Sequence, residues 1–186
     1  FPTAKLSNGA LYLAVYNAVT PNSFSLYKLE NGTWSTLADK WRDEAATGMN
    51  IRDFDMDVDH DGNVYIAMAD NSSDGVTYKH KIVKYTASTG NVSVVGNPFT
   101  VVTGNLFNYD LAVSPTGTPY IFYRNENSYP TVSYFDAETQ DWSTPYTFET
   151  VSASDLSIDF ARNGDAYLSY TKSGKLVVYK YAEPQE

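Results

Sequence analysis

Asp110-Leu111-Ala112-Val113-Ser114-Pro115-Thr116-Gly117-Thr118-Pro119-Tyr120-Ile121-Phe122-Tyr123 reads as two short strands folded about one turn. An alternating run leads in, Pro115 and Gly117 punctuate the middle, and a β-branched and aromatic run leads out. Gly117 supplies the positive φ that a tight hairpin needs. The pattern recurs along the chain. A glycine followed three residues later by tyrosine stands at Gly9/Tyr12, Gly62/Tyr65, Gly117/Tyr120 and Gly164/Tyr167, with the glycines 53, 55 and 47 residues apart.

Further features fall into the same register. Asp55-Met56-Asp57-Val58, Asp110-Leu111-Ala112-Val113 and Asp155-Leu156-Ser157-Ile158 precede three of the glycines. A second short strand follows each tyrosine, then a polar loop, then a third strand ending at Leu29, Tyr85, Phe135 and Tyr181. The first three copies add a fourth strand around Trp34, Val92 and Trp142. The repeats cover about 1–48, 49–104, 105–150 and 151–186 of a single domain. Each is a four-stranded antiparallel meander, and such a unit cannot bury both its faces alone. The fold class expected is therefore all-β, with the repeats stacked as blades of a β-propeller. Helical patterning is confined to one turn at Asp39 to Ala46.

The unit from Asp110 to Ser143, running from D-L-A-V-S-P-T-G-T-P-Y-I-F-Y into D-W-S, resembles the repeats of secreted bacterial β-propeller proteins. The fold of that family is compared with kelch-like and galactose-oxidase-like propellers. Neither the kelch double glycine nor the Trp-Asp ending of WD40 blades is present. The resemblance implies an exported protein, extracellular, periplasmic or held at the cell surface, and it transfers no catalytic residue.

Composition narrows the partners. The chain has 186 residues, 42% of them hydrophobic, with 16 Tyr, 9 Phe and 3 Trp, as pleated, half-buried surfaces require. A net charge of -9 repels phosphate backbones, which argues against nucleic acid. No apolar run approaches the ~20 residues that span a bilayer, so membrane insertion is not expected. Zero Cys excludes disulfides and thiolate chemistry. The first repeat opens inside its innermost strand and the fourth stops before its outer one. The expectation is a part of a larger propeller, or end blades that contact another copy.

Candidate sites are few. Asp57-x-Asp59-x-Asp61-Gly62 matches the first half of a calcium loop, alternating carboxylates with a turning glycine. Met68 stands where the closing acid of an EF-hand would be, so calcium is set against a plain Asp-Gly hairpin, and no other cofactor is expected. The recurring Asp55, Asp110 and Asp155 read as acceptors for backbone N–H groups at strand entrances. Tyr12, Tyr65, Tyr120 and Tyr167 read as packing residues. His80, in a Lys-His-Lys run, suits a solvated strand edge. Non-repeated residues on the rim opposite the hairpins are candidates for ligand contact: Tyr16, Trp41, Arg42, Arg52, Asp70, Tyr78, Arg124 and Tyr129. Aromatic faces beside planar hydrogen-bonding groups suit a glycan or a protein ligand. No nucleophile elbow, two-histidine metal motif or phosphate loop is present. The reading is a non-enzymatic binding or scaffold module. Its alternative is a glycoside hydrolase-like enzyme, which would need two carboxylates converging in one pocket.

Overall fold

The computed structural model describes residues 2–18, 22–42, 51–70, 79–100 and 108–181; the side chains of 51–53, 69–70, 79 and 99–100 lie outside the description. The described residues form strands and turns only, so no helix among them is long and apolar enough to cross a membrane.

Four antiparallel sheets follow one another along the chain. Blade 1 is β1 (Pro2–Ser7), β2 (Ala10–Asn17), β3 (Ser23–Glu30) and β4 (Thr33–Trp41). Blade 2 is β5 (Ile51–Val58), β6 (Val64–Asp70), β7 (Lys79–Thr86) and β8 (Asn91–Val94), with β9 (Phe99–Thr100) also paired to β7. Blade 3 is β10 (Tyr109–Val113), β11 (Pro119–Arg124), β12 (Pro130–Asp136) and β13 (Asp141–Trp142), with β14 (Tyr146–Thr147) on β12. Among the described residues blade 4 has three strands, β15 (Ser154–Phe160), β16 (Ala166–Lys172) and β17 (Lys175–Tyr181). The innermost strands β1, β5, β10 and β15 pack side by side in that order, as blades about a propeller axis do. Asp39 to Trp41 belong to β4 rather than to a helical turn.

The hairpin turns come in two kinds. Asn8 and Gly9, at φ 49° and 77°, close a two-residue turn of the type that Asn-Gly favours. In the later blades Gly62, Gly117 and Gly164 donate to the carbonyls three residues back, of Asp59, Ser114 and Ala161, at 3.1, 2.9 and 2.9 Å. Gly62 and Gly117 stand at φ 80° and 88°, which a side chain would resist.

Each apolar cluster lies between two blades. Tyr12, Ala14, Phe24 and Leu26 of blade 1 meet Phe54, Met56, Ile66 and Met68 of blade 2. Tyr65, Ala67 and Ile82 meet Leu111, Val113 and Ile121 of blade 3, and Tyr120, Phe122 and Val132 meet Ile158, Leu168 and Tyr170 of blade 4. Every blade thus has a leading and a trailing face. The alternation of side chains along each strand fixes which residues serve which.

Carboxylates stitch the innermost strands together. Asp55 accepts the Leu111 N–H at 2.6 Å, Asp57 the Val113 N–H at 2.7 Å, and Asp110 the Ile158 N–H at 2.7 Å. These aspartates therefore lie within strands and bridge blades, instead of capping strand entrances. Asp155 does not join them. Ser157, seven residues before Gly164 as Asp55 is before Gly62, pairs with Ser169 where Asp55 pairs with Ala67, and Asp155 lies two residues further out, beside a bulge between Ser154 and Ser157. Asp155 is exposed, at φ 52°, and accepts from the Ser154 hydroxyl.

His80 is also corrected. It is fully buried, its ring 4.3 Å from that of Tyr109 and 5.9 Å from that of Tyr123, and β9 covers the strand edge on which a solvated histidine was expected.

Candidate functional site

Strand two of a blade carries a tyrosine whose cross-strand neighbour on strand three is Lys28, Lys84, Tyr134 or Lys180. A lysine beside a tyrosine face makes a cation–π pair: Lys28 Nζ lies 5.7 Å from the Tyr12 centroid and Lys84 Nζ 5.1 Å from that of Tyr65. Because blades splay apart toward their outer strands, a cleft opens beside this pair on the hairpin rim.

The roomiest such cleft described lies between blades 2 and 3. It holds about 520 Å³ and is lined by Tyr65, Lys84, Ser93, Thr116, Thr118, Phe135 and Gln140. That volume falls within the ~300–1,000 Å³ of small-molecule sites. Tyr65 donates its hydroxyl to the Gly117 carbonyl at 3.4 Å, and burial pushes its pKa up, so the phenol stays neutral. The Lys84 ammonium, the Gln140 amide and three hydroxyls stand around the half-buried Phe135 ring, while the Tyr65 ring is buried beneath Lys84. Such a set offers donors, acceptors and one ring face, and among these lining residues there is no nucleophile–base pair.

A smaller cleft of about 230 Å³ sits between blades 3 and 4 on the same rim, lined by Tyr120, Phe160, Asn163, Asp165 and Tyr181. Tyr120 stacks edge-on to Phe160 at 5.0 Å. The Lys180 ammonium, 2.7 Å from Asp165, and the Asn163 amide hold the Asp165 carboxyl below its ordinary pKa.

Those rim residues picked from sequence that are described lie at the opposite end of the strands and are spread over three blades. Tyr16 packs against the first core with its ring edge-on to Phe54 at 6.0 Å. Trp41 is half-buried, 5.2 Å from the Phe24 ring. Arg42 follows β4 and is exposed. Arg52 lies in β5 and Asp70 ends β6, both with side chains outside the description, and Tyr78 lies outside the described residues. Arg124 ends β11, reaching Ser152 Oγ at 3.4 Å, and burial lowers its guanidinium pKa. Tyr129 closes the neighbouring turn, its N–H donated to the Asn125 side chain at 3.0 Å.

The triple-aspartate hairpin spends its carboxylates on the chain itself. Asp57 accepts from Val58 N–H and Val113 N–H and pairs with Lys5 at 3.0 Å. Asp59 accepts from the N–H groups of Asp61 and Asn63 and from the Asn63 amide. Asp61 lies 3.2 Å from His60 at the surface. Among the described residues no three acidic or histidine side chains gather as a metal site requires.

Sequence reasoning passed over one carboxyl pair. Asp55 and Asp110, on neighbouring innermost strands, interact; burial first, and then the hydrogen bond and charge of Asp110, push the Asp55 carboxyl up to about 7. The Asp55 oxygens also accept the N–H groups of Met56 and Leu111. The signal was the recurrence of the aspartate in register, which reads equally well as structure.

No family model and no curated protein matches the chain. Solved structures do. A GH43 endo-arabinanase from Bacillus licheniformis superposes with TM-score 0.57 at 14% identity, over 97% of this chain and 70% of that one. A lectin from Aleuria aurantia, in complex with Fucα1-6GlcNAc, gives 0.62 at 13% identity over 99% of this chain and 58% of that one. A GH43 β-1,3-galactosidase gives 0.59 at 12% identity, over 91% of this chain and 39% of that one. The chain therefore spans between about four-tenths and seven-tenths of the length of these structures. At such identities the likeness speaks to fold alone, and the fold is that of β-propeller blades.

Proposed function

We propose that this protein is a glycan-binding propeller module that seats a neutral sugar in the clefts between its blades, on the hairpin rim. The observation that carries the reading is the cleft between blades 2 and 3, where Lys84 lies over the Tyr65 ring beside Phe135, Gln140 and the Thr116 and Thr118 hydroxyls. Sugars present C–H faces that pack on aromatic rings and hydroxyls that bond to amides and ammonium groups. Support comes also from the folds it resembles: one is a lectin bound to a fucosylated disaccharide and others are glycoside hydrolases.

The test is a screen of neutral mono- and oligosaccharides on a glycan array, followed by calorimetry. Lys84→Ala and Gln140→Ala should each weaken the best hit about tenfold, worth about 1.4 kcal/mol. Thermal stability should stay within a degree or two. Absence of any hit, or binding indifferent to both substitutions, refutes the site.

The Asp55–Asp110 pair supports a second reading, glycoside hydrolysis, since a carboxyl held near 7 suits a general acid. Against it, both Asp55 oxygens are committed to backbone N–H groups. Reducing-sugar release from arabinan and galactan that disappears in Asp55→Asn would favour hydrolysis over binding alone.

A further inference from the structure

The two clefts on the hairpin rim share a wall. Thr116 lines both, together with Gly117 and Thr118 in the roomier cleft and with Ser114 and Pro115 in the smaller. The wall is the turn between β10 and β11, and Thr116 stands exposed on its crest. That turn is braced from within. The Ser114 and Thr116 hydroxyls bond at 2.8 Å, and the Thr118 N–H donates to Ser114 Oγ at 3.1 Å. The Gly117 N–H donates to the Ser114 carbonyl at 2.9 Å, and the Gly117 carbonyl accepts from Tyr65. Occupants of the two clefts are therefore held apart by little more than one fixed side chain.

Ring faces recur with the blades. Phe135 follows Tyr134, the partner of Tyr120, and Tyr181 follows Lys180, the partner of Tyr167. Phe135 and Tyr181 thus hold the same place in blades 3 and 4. Both are half-buried, and each lines the cleft that its own blade makes with the blade before it. Phe160 adds a second half-buried ring to the smaller cleft. Polar groups flank the crest on both sides, Lys84 and Gln140 in one cleft, Asn163 and Asp165 in the other. The Asp165 carboxylate is balanced by Lys180 at 2.7 Å, so it does not call for a cationic ligand.

We propose that the two clefts are consecutive subsites of one groove, and that its ligand is an unbranched neutral oligosaccharide laid across Thr116, not a single terminal sugar. This rests on the sugar-binding reading above and adds to it the length and shape of the ligand. A ring that recurs once per blade suits a ligand that itself repeats, with one sugar unit against each ring. Joining two weak contacts in one molecule makes the second contact intramolecular, so affinity climbs with chain length. The polar groups on the two sides of Thr116 differ, so the oligosaccharide lies in one direction only.

Calorimetry with arabinan- and galactan-derived ladders, from monosaccharide to pentasaccharide, tests this. The longest members should bind about tenfold tighter than the monosaccharide, worth about 1.4 kcal/mol, with one oligosaccharide per chain. Thr116→Trp, which fills the crest, and Asn163→Ala should each erase most of that gain. Both positions are exposed, so circular dichroism and the urea midpoint should stay near those of the parent. Thr116→Ser keeps the hydroxyl and should keep the gain. Monosaccharide binding that Lys84→Ala weakens, with no gain on lengthening, overturns the groove and leaves the sugar site standing. A gain with length that is indifferent to Thr116→Trp and Asn163→Ala also overturns the groove. No binding by any member of either ladder overturns the groove and the sugar site together.

Discussion

Replacing Asp57 by alanine should be among the most damaging single changes in the chain, although the residue neither packs a core nor lines the cleft. Its carboxylate holds two buried backbone N–H groups, Val58 of its own strand at 2.8 Å and Val113 of the next blade at 2.7 Å. A hydrogen bond to a charged acceptor contributes about 1.5–3 kcal/mol, and a buried donor left unsatisfied costs about 1–3 kcal/mol. The Lys5 pair adds little, since the lysine side chain is 43% exposed. Two orphaned amides in the junction of blades 2 and 3 therefore predict a loss of about 3–5 kcal/mol. Against a total of about 5–15 kcal/mol that is a large fraction. The assay is equilibrium urea unfolding at neutral pH, with the midpoint falling and the slope held constant. For a chain of this size the melting temperature should drop by roughly 6–20 °C. Asp57→Asn keeps one acceptor oxygen and should recover about half of the loss. A loss under about 1 kcal/mol for the alanine variant would show that water serves these amides. Carboxylate stitching would then be no source of blade cohesion.

Gly96→Ala should cost about 2–4 kcal/mol, because a Cβ there would lie 2.6 Å from the Trp142 indole and φ is +60°. Gly90→Ala, equally left-handed but with open space around it, should cost about 1 kcal/mol, and comparable losses by urea unfolding would refute the steric argument. His80 is driven by burial from 6.5 to about 3, so the unfolded chain protonates first; its stabilisation is full above pH 6.5 and fades as pH falls toward 3. His80→Phe should accordingly gain on the parent as pH drops, by up to about 1.4 kcal/mol per unit, and a constant difference would contradict a buried neutral imidazole. Asp55 has the opposite sign: raised from 3.8 to about 7, its contribution is full below pH 4 and is lost as pH rises through 7. The cost of Asp55→Asn should shrink between pH 4 and 7, and a cost that grows instead would mean the carboxylate is the stabilised form. Millimolar calcium should leave the melting temperature unchanged, since the hairpin carboxylates already serve backbone N–H groups; a rise that Asp59→Ala abolishes would restore the calcium loop.

Gly-x-x-Tyr in four copies was enough to read an all-β chain of stacked meanders, because turn chemistry and period-2 alternation are local. Trp34, Val92 and Trp142 were legible as outer-strand residues for the same reason. The role of the repeated aspartates as backbone acceptors was legible, but not that they reach across to the next blade. Asp155 stands nine residues before its glycine where Asp55 and Asp110 stand seven before theirs, so Ser157 is the register equivalent of Asp55, and the bulge after Ser154 was not legible. His80 looked solvated because its neighbours are lysines. A residue's burial on strand three depends on the returning β9 and on Tyr109 and Tyr123 of the next blade, which lie far along the chain.

The candidate site was the least legible part. A rim of non-repeated polar residues stood out in the sequence, whereas the described clefts lie on the opposite rim and are made partly of the repeated tyrosines themselves. Tyr65 and Tyr167 occupy the same place in their repeats, yet one is covered and the other is exposed. The sequence by itself determined the strands, their turns and which side chains share a face, since those follow from residue-to-residue alternation. Only the tertiary structure decided which faces meet, which stay open and which carboxylate finds an amide. Those outcomes depend on the splay and order of whole blades, a property no single repeat contains.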